Sequence, residues 1–153
     1  MSSEERTPLL YVKDIKKYYP VKGGIIPRTV DYVKAVDGVS FSVMPGEILG
    51  LVGESGSGKS TVGRMLIGLE KPTKGQVFYK GRDLAALSQK DMQRTRTNLQ
   101  MIFQDPYSSL NPRKHIYEIL AQPMLYHGIA TKETVEKEIR ELLGMVGLPA
   151  GIL

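Results

Sequence analysis

Gly53-Glu-Ser-Gly-Ser-Gly-Lys-Ser-Thr61 satisfies the pattern G-x-x-x-x-G-K-[ST] at every fixed position. The spacing has a mechanical reason. Gly53, Gly56 and Gly58 let the backbone turn so that successive N–H groups face one anion. A helix starting directly behind them offers its own N–H groups and dipole to the same phosphates. Lys59 can reach the β- and γ-phosphates, and the Ser60 hydroxyl can ligate a divalent cation. With Glu54, Ser55, Ser57 and Thr61 completing the cradle, the stretch predicts binding of a nucleoside triphosphate, ATP with Mg²⁺.

Both flanks have the form that this mechanism requires. Upstream, Glu47-Ile-Leu-Gly-Leu-Val52 is a nearly continuous apolar run, as expected of a strand buried on both faces in a parallel sheet. Downstream, Ser60 to Leu69 places Val62, Met65, Leu66 and Leu69 on one helical stripe. A chance glycine-rich turn would have neither neighbour.

Further out, Leu9 to Tyr19 has strand composition, and Pro20 to Thr29 reads as a loop because of Gly23-Gly24 and Pro27. Tyr32 to Val43 alternates, with Val36, Val39, Phe41 and Val43 as core candidates. Gln76 to Lys80 predicts another strand and Gly81-Arg82-Asp83 a turn. Ser88 is placed to cap a helix, with Asp91 reaching back. Leu99 to Phe103 reads as a second buried strand, followed by a loop from Gln104 to Arg113. His115 to Tyr126 and Thr131 to Met145 predict helices, the latter with Glu133–Lys137 and Glu136–Arg140 pairs. This order implies an α/β architecture with an antiparallel piece attached.

Composition narrows the class. The 153 residues are 41% hydrophobic and 24% charged, which suits a globular domain rather than disorder. No apolar run approaches the ~20 residues that span a bilayer, and Met1 to Arg6 lacks the apolar core of a secretory signal. Without cysteine there is no disulfide framework and no thiolate zinc site. The net charge of +5 is spread thinly, with no aromatic-interleaved stripe, so a surface near an anionic membrane is favoured over nucleic acid.

Four stretches together resemble the ATP-binding subunits of ABC transporters. They are Ala35-Val-Asp-Gly-Val-Ser-Phe41 with Pro45-Gly-Glu-Ile48, the loop Gly53–Thr61, Leu69-Glu-Lys-Pro-Thr-Lys-Gly75, and Gln100-Met-Ile-Phe-Gln-Asp-Pro-Tyr-Ser-Ser-Leu-Asn-Pro112. The string Asp105–Arg113 is similar to the oligopeptide, dipeptide and nickel branch. Lys16-Lys-Tyr-Tyr-Pro-Val-Lys-Gly-Gly24 is similar to the second ATPase of such systems. The resemblance implies a P-loop NTPase core with a small antiparallel β subdomain (residues 9–113 to the end of the Q-loop) and the start of a helical subdomain (residues 114–153), behind a frayed polar stretch at residues 1–8. It implies that Gln104 contacts Mg²⁺ or the attacking water, and that Tyr19, with Tyr18 as its neighbour, stacks on adenine. It implies a second ATP-binding subunit, two transmembrane permease subunits and, indirectly, an extracytoplasmic solute-binding protein as partners. The place would be peripheral, on the cytoplasmic face of the membrane.

The sequence departs from that family after Gln104. No L-S-G-G-Q-like signature, no apolar strand ending in Asp-Glu and no later switch histidine precede Leu153, and His115 and His127 read as surface or packing residues. The expectation is therefore an N-terminal part that binds ATP without turning it over alone and leaves an open sheet edge. The competing readings are an ATPase acting on nucleic acid, as in DNA repair, a small-molecule kinase, and a regulatory fragment that only binds nucleotide.

Overall fold

The computed structural model describes residues 7–23, 28–105, 109–149 and 151. The chain divides into two compact units, residues 1–101 and 102–153, and each has its own apolar core.

The first unit is organised by a long antiparallel hairpin, β1 (Leu10–Gly23) and β2 (Arg28–Val43). Strand β3 (Lys74–Tyr79) pairs with the other side of β1, and the short β4 (Arg82–Asp83) completes the order β2-β1-β3-β4. Val12 and Ile15 are both fully buried, although a strict period of two would send them to opposite faces. A bulge between them restores the register: Asp14 has φ 44 and its N–H donates to Ser40 Oγ at 2.8 Å. Val36 and Val77 from the neighbouring strands join this core. Helix α1 (Lys59–Leu66) adds Val62 and Met65, and Leu84 closes it. Helix α2 (Gln89–Arg96) begins as the sequence predicts, with Ser88 Oγ accepting from the Asp91 N–H at 3.1 Å.

Two expectations about the reach and burial of strands are corrected here. The predicted loop from Pro20 to Thr29 is largely strand, with Pro20 paired to Tyr32 and Gly23 to Arg28; Gly24 to Pro27 lie outside the described residues. Strand β3 reaches along β1 only to Lys16, so beyond that point β1 is itself an edge, where a proline's missing N–H costs no ladder bond. The second correction concerns the two buried strands expected at residues 47–52 and 99–103. Neither belongs to a strand, and Ile48, Val52 and Ile102 are 97%, 91% and 92% exposed. A parallel strand is buried through neighbours on both sides, and among the described residues these stretches have none.

The second unit pairs α3 (Ile116–Tyr126) with α4 (Val135–Met145) around Ala121, Ala130, Val135, Ile139 and Leu143. Arg140 pairs with Glu136 at 2.7 Å, as expected. Glu133 does not pair with Lys137, which meets Glu141 at 3.7 Å instead. Because α4 starts at Val135, Glu133 precedes the helix, and its N–H donates to Thr131 Oγ1 at 3.3 Å.

Candidate functional site

Residues 53–58 form the approach to α1, with the Ser57 N–H closing a turn on the Glu54 carbonyl at 3.2 Å. Gly56 and Gly58 have φ 81 and 94, in the left-handed region that side chains disfavour. At Gly58 space is also decisive, since a Cβ there would stand 2.2 Å from the Ala35 carbonyl oxygen of β2. The loop therefore ends flush against the β2 backbone. From there the Val62 N–H bonds to the Gly58 carbonyl at 2.9 Å and α1 begins.

No side chain caps α1 and its first turn holds no acidic residue. The N–H groups of Lys59, Ser60 and Thr61 precede the first intrahelical bond and suit an external anion. The Lys59 ammonium crosses the loop, donating to the carbonyls of Gly53 at 2.6 Å and Glu54 at 2.5 Å and to Ser57 Oγ at 3.3 Å. Glu54, Ser55, Ser57 and Ser60 are exposed. The geometry thus places the predicted loop, the Lys59 ammonium and the uncapped start of α1 next to one another.

Tyr19 stands beside this helix. The residue is 36% exposed and its hydroxyl donates to Glu70 Oε1 at 2.5 Å. That bond, and then burial, raises the phenol pKa, while the Thr61 hydroxyl works against the shift. Lys17 Nζ lies 3.2 Å from the same carboxylate oxygen and 5.2 Å from the Tyr19 ring centroid. The Tyr19 hydroxyl first, and Lys17 after it, hold the Glu70 carboxyl below the usual range. Sequence reasoning missed Glu70. Its only signal was its place in the Leu69–Gly75 exit from the helix. Tyr18 turns elsewhere, its hydroxyl donating to Asp37.

Gln104 belongs to the second unit, exposed at a bend, and Pro106 to Ser108 of the following string lie outside the described residues. His115 and His127 are exposed at the two ends of α3, and the His115 N–H donates to Glu118 Oε2 at 3.2 Å. Among the described residues no three His, Asp or Glu side chains gather as a metal site. Within the first unit, a divalent cation at the loop would have Ser60 and phosphate oxygens as its ligands. A concavity lined by Thr7, Pro8, Tyr11, Lys13, Phe78 and Gly81 shares no residue with the loop, and its stacked Tyr11 and Phe78 rings suit an apolar contact rather than a phosphate.

A left-handed glycine loop leading into an uncapped helix with lysine at its first position has the form of a P-loop nucleotide-binding protein. Solved structures agree with this class. A dimeric ATP-binding cassette in a post-hydrolysis state, bound to ADP and Pi, matches with TM-score 0.70 and 26% identity, over 91% of this chain and 57% of that one. A cbiO1 protein from Clostridium perfringens, part of an ABC transporter complex, matches with TM-score 0.62 and 20% identity, over 92% of this chain and 51% of that one, which shows the fold alone. Residues 36–151 match the family model described as ABC transporter, and the chain belongs to that family.

Among curated relatives, the oligopeptide transport ATP-binding protein AppF of Bacillus subtilis (strain 168) is 48% identical over 149 residues, covering 97% of this chain and 45% of that protein. The dipeptide transport ATP-binding protein DppF of Escherichia coli (strain K12) is 44% identical over 152 residues, covering 97% of this chain and 45% of its own length. The chain spans less than half the length of these relatives. Tyr19 and most of the β1–β2 hairpin lie before residue 36, outside the stretch that the family model matches.

Proposed function

We propose that this chain is the nucleotide-phosphate-binding part of an ATPase subunit that drives uptake of oligopeptides, dipeptides or related solutes across a membrane. The observation that supports it best is the loop itself: Gly58 flush on the Ala35 carbonyl, an uncapped α1 and the Lys59 ammonium held across the turn. Similarity to peptide-transport ATP-binding proteins gives the loop its context.

In this reading the backbone from Gly53 to Gly58 and the first turn of α1 bind the phosphate oxygens, and Lys59 exchanges its loop carbonyls for the β- and γ-phosphates. Ser60 would hold Mg²⁺, and Gln104, by resemblance, would contact the metal or the attacking water; when bound, the ion would neutralise phosphate charge and polarise the transferring group. Tyr19 carries the base. The loop's contribution to catalysis is electrostatic, through donors fixed before the charge develops. Turnover requires a signature sequence and an acidic pair that residues 1–153 do not carry, and it requires a second ATP-binding subunit. Two permease subunits and an extracytoplasmic binding protein complete the transporter, with this subunit on the cytoplasmic face. No helix among the described residues is long and apolar enough to cross a membrane.

The test is titration with a fluorescent ATP analogue and Mg²⁺, beside Lys59→Ala, with phosphate release followed in parallel. The expected outcome is saturable binding, weakened at least about tenfold in the variant through loss of charge-assisted bonds of ~1.5–3 kcal/mol, and no phosphate released. Binding that ignores Lys59→Ala would overturn the assignment of the loop. Phosphate release from residues 1–153 by themselves would overturn the division of labour.

A further inference from the structure

Tyr19 and Glu70 are 51 residues apart in sequence and joined by a 2.5 Å hydrogen bond. Glu70 is fixed on both of its sides. Its own N–H and that of Leu69 donate to the Arg64 carbonyl of α1, at 3.2 and 2.9 Å. The segment that follows is sewn onto β1: Lys17 Nζ donates to the Lys71 carbonyl at 2.9 Å, the Thr73 N–H to the Lys16 carbonyl at 2.7 Å, and the Tyr18 N–H to Thr73 Oγ1 at 3.0 Å. The side chains of Glu70 and Lys17 are only 20% and 17% exposed, so their ion pair is partly withdrawn from water. An exposed tyrosine on a strand would ordinarily turn about its first two torsions. This ring is held at its hydroxyl by Glu70, and Lys17 sits against one face.

We propose that Glu70 is a positioning residue for the nucleotide, tying the exposed Tyr19 to the phosphate-loop helix so that its ring is a preset platform for a purine base. The inference rests on the reading of Tyr19 as the base-stacking residue and adds what fixes it. The carboxylate touches neither base nor phosphate; it acts through the ring. Because Glu70 hangs from the carbonyl of Arg64, the platform and the loop are carried by the same helix. The distance from base to phosphate is thereby built into α1.

Two ligands separate the effects: ATP, and inorganic tripolyphosphate, which has the phosphates without a base. Tyr19→Ala is expected to weaken ATP about 5- to 150-fold, the range of base–aromatic stacking, and to leave tripolyphosphate unchanged. Glu70→Ala and Tyr19→Phe, which frees the ring without removing it, are each expected to weaken ATP about 2- to 10-fold through the entropy of immobilising one side chain. Tripolyphosphate is again unchanged. Glu70→Gln keeps an acceptor and recovers most of the loss, and Glu70→Ala adds nothing on top of Tyr19→Ala.

Unchanged ATP affinity in Tyr19→Ala overturns the stacking reading and this inference with it. A loss in Tyr19→Ala with none in Tyr19→Phe or Glu70→Ala overturns only the positioning role. Equal weakening of tripolyphosphate by Glu70→Ala would make Glu70 a support of the loop and likewise overturn it.

Discussion

Two apolar stretches of the first unit end in opposite environments. In β1, Val12 and Ile15 are wholly buried, while Ile48 and Val52, in a run at least as apolar, are almost wholly exposed. Composition does not separate them. Pairing does: β1 has its hairpin partner β2 on one side and β3, from beyond the phosphate loop and α1, on the other, and residues 47–52 have no ladder partner among the described residues. Burial in a sheet is thus a property of the neighbours a strand finds, and only secondarily of its own side chains.

The largest effect should come from the paired side of this comparison. Ile15→Ala empties a fully buried site and is expected to destabilise the first unit by about 2–5 kcal/mol in urea unfolding. A cost under about 1 kcal/mol would mean that this core is loosely packed. Next is Gly58→Ala, where φ 94 alone costs about 1–3 kcal/mol and the Ala35 carbonyl blocks the methyl group. Binding of the ATP analogue should fail in this variant, and retention would break the view that the loop is seated on β2.

Acid should act more gradually. The Tyr18 hydroxyl before all, and Lys16 with it, keep the Asp37 carboxyl below its ordinary value; the Tyr19 hydroxyl does the same for Glu70, and Ser88 for Asp91. Each is depressed in the folded chain, so the unfolded chain binds protons first. The stability they contribute is complete above the ordinary carboxylate range near ~4 and is lost as pH falls below it. Urea midpoints measured from pH 7 down to pH 3 should stay level and then drop, and the drop should be shallower in Glu70→Gln. The smallest effect belongs to the unpaired stretch: Ile48→Ala is expected to change stability by less than about 0.5 kcal/mol. A much larger loss would sharpen the comparison by showing that this run is covered in solution.

What could be read from the sequence follows the same division. The turn that leads into α1 and the Ser88 cap are closed by bonds within a few residues, so glycine spacing and one serine were enough to place them, whereas the seat of Gly58 on the Ala35 carbonyl was not legible. The reach of the hairpin was hidden because Pro20 and Gly23 carry turn chemistry that long antiparallel pairing overrides. The strands expected at residues 47–52 and 99–103 failed because apolar content reports readiness for burial and says nothing about the partner. Lys137 chose Glu141 because the helix began later than its periodicity suggested. Tyr19 could be singled out by resemblance, but its bond to Glu70 joins positions that no local pattern connects.

The flush contact at Gly58 also shapes how this chain can vary. Gly56, with φ 81 and open space around it, asks only for a residue that accepts the left-handed region, and asparagine can substitute there at modest cost. Gly58 faces the strain and the Ala35 backbone together, and no flexible side chain is available to yield. In a library of all single substitutions, position 58 should be a nearly empty column beside a sparsely filled one at 56. The loop then has almost no one-step neighbours in sequence space through Gly58, and drift within it must pass through the exposed positions Glu54, Ser55 and Ser57.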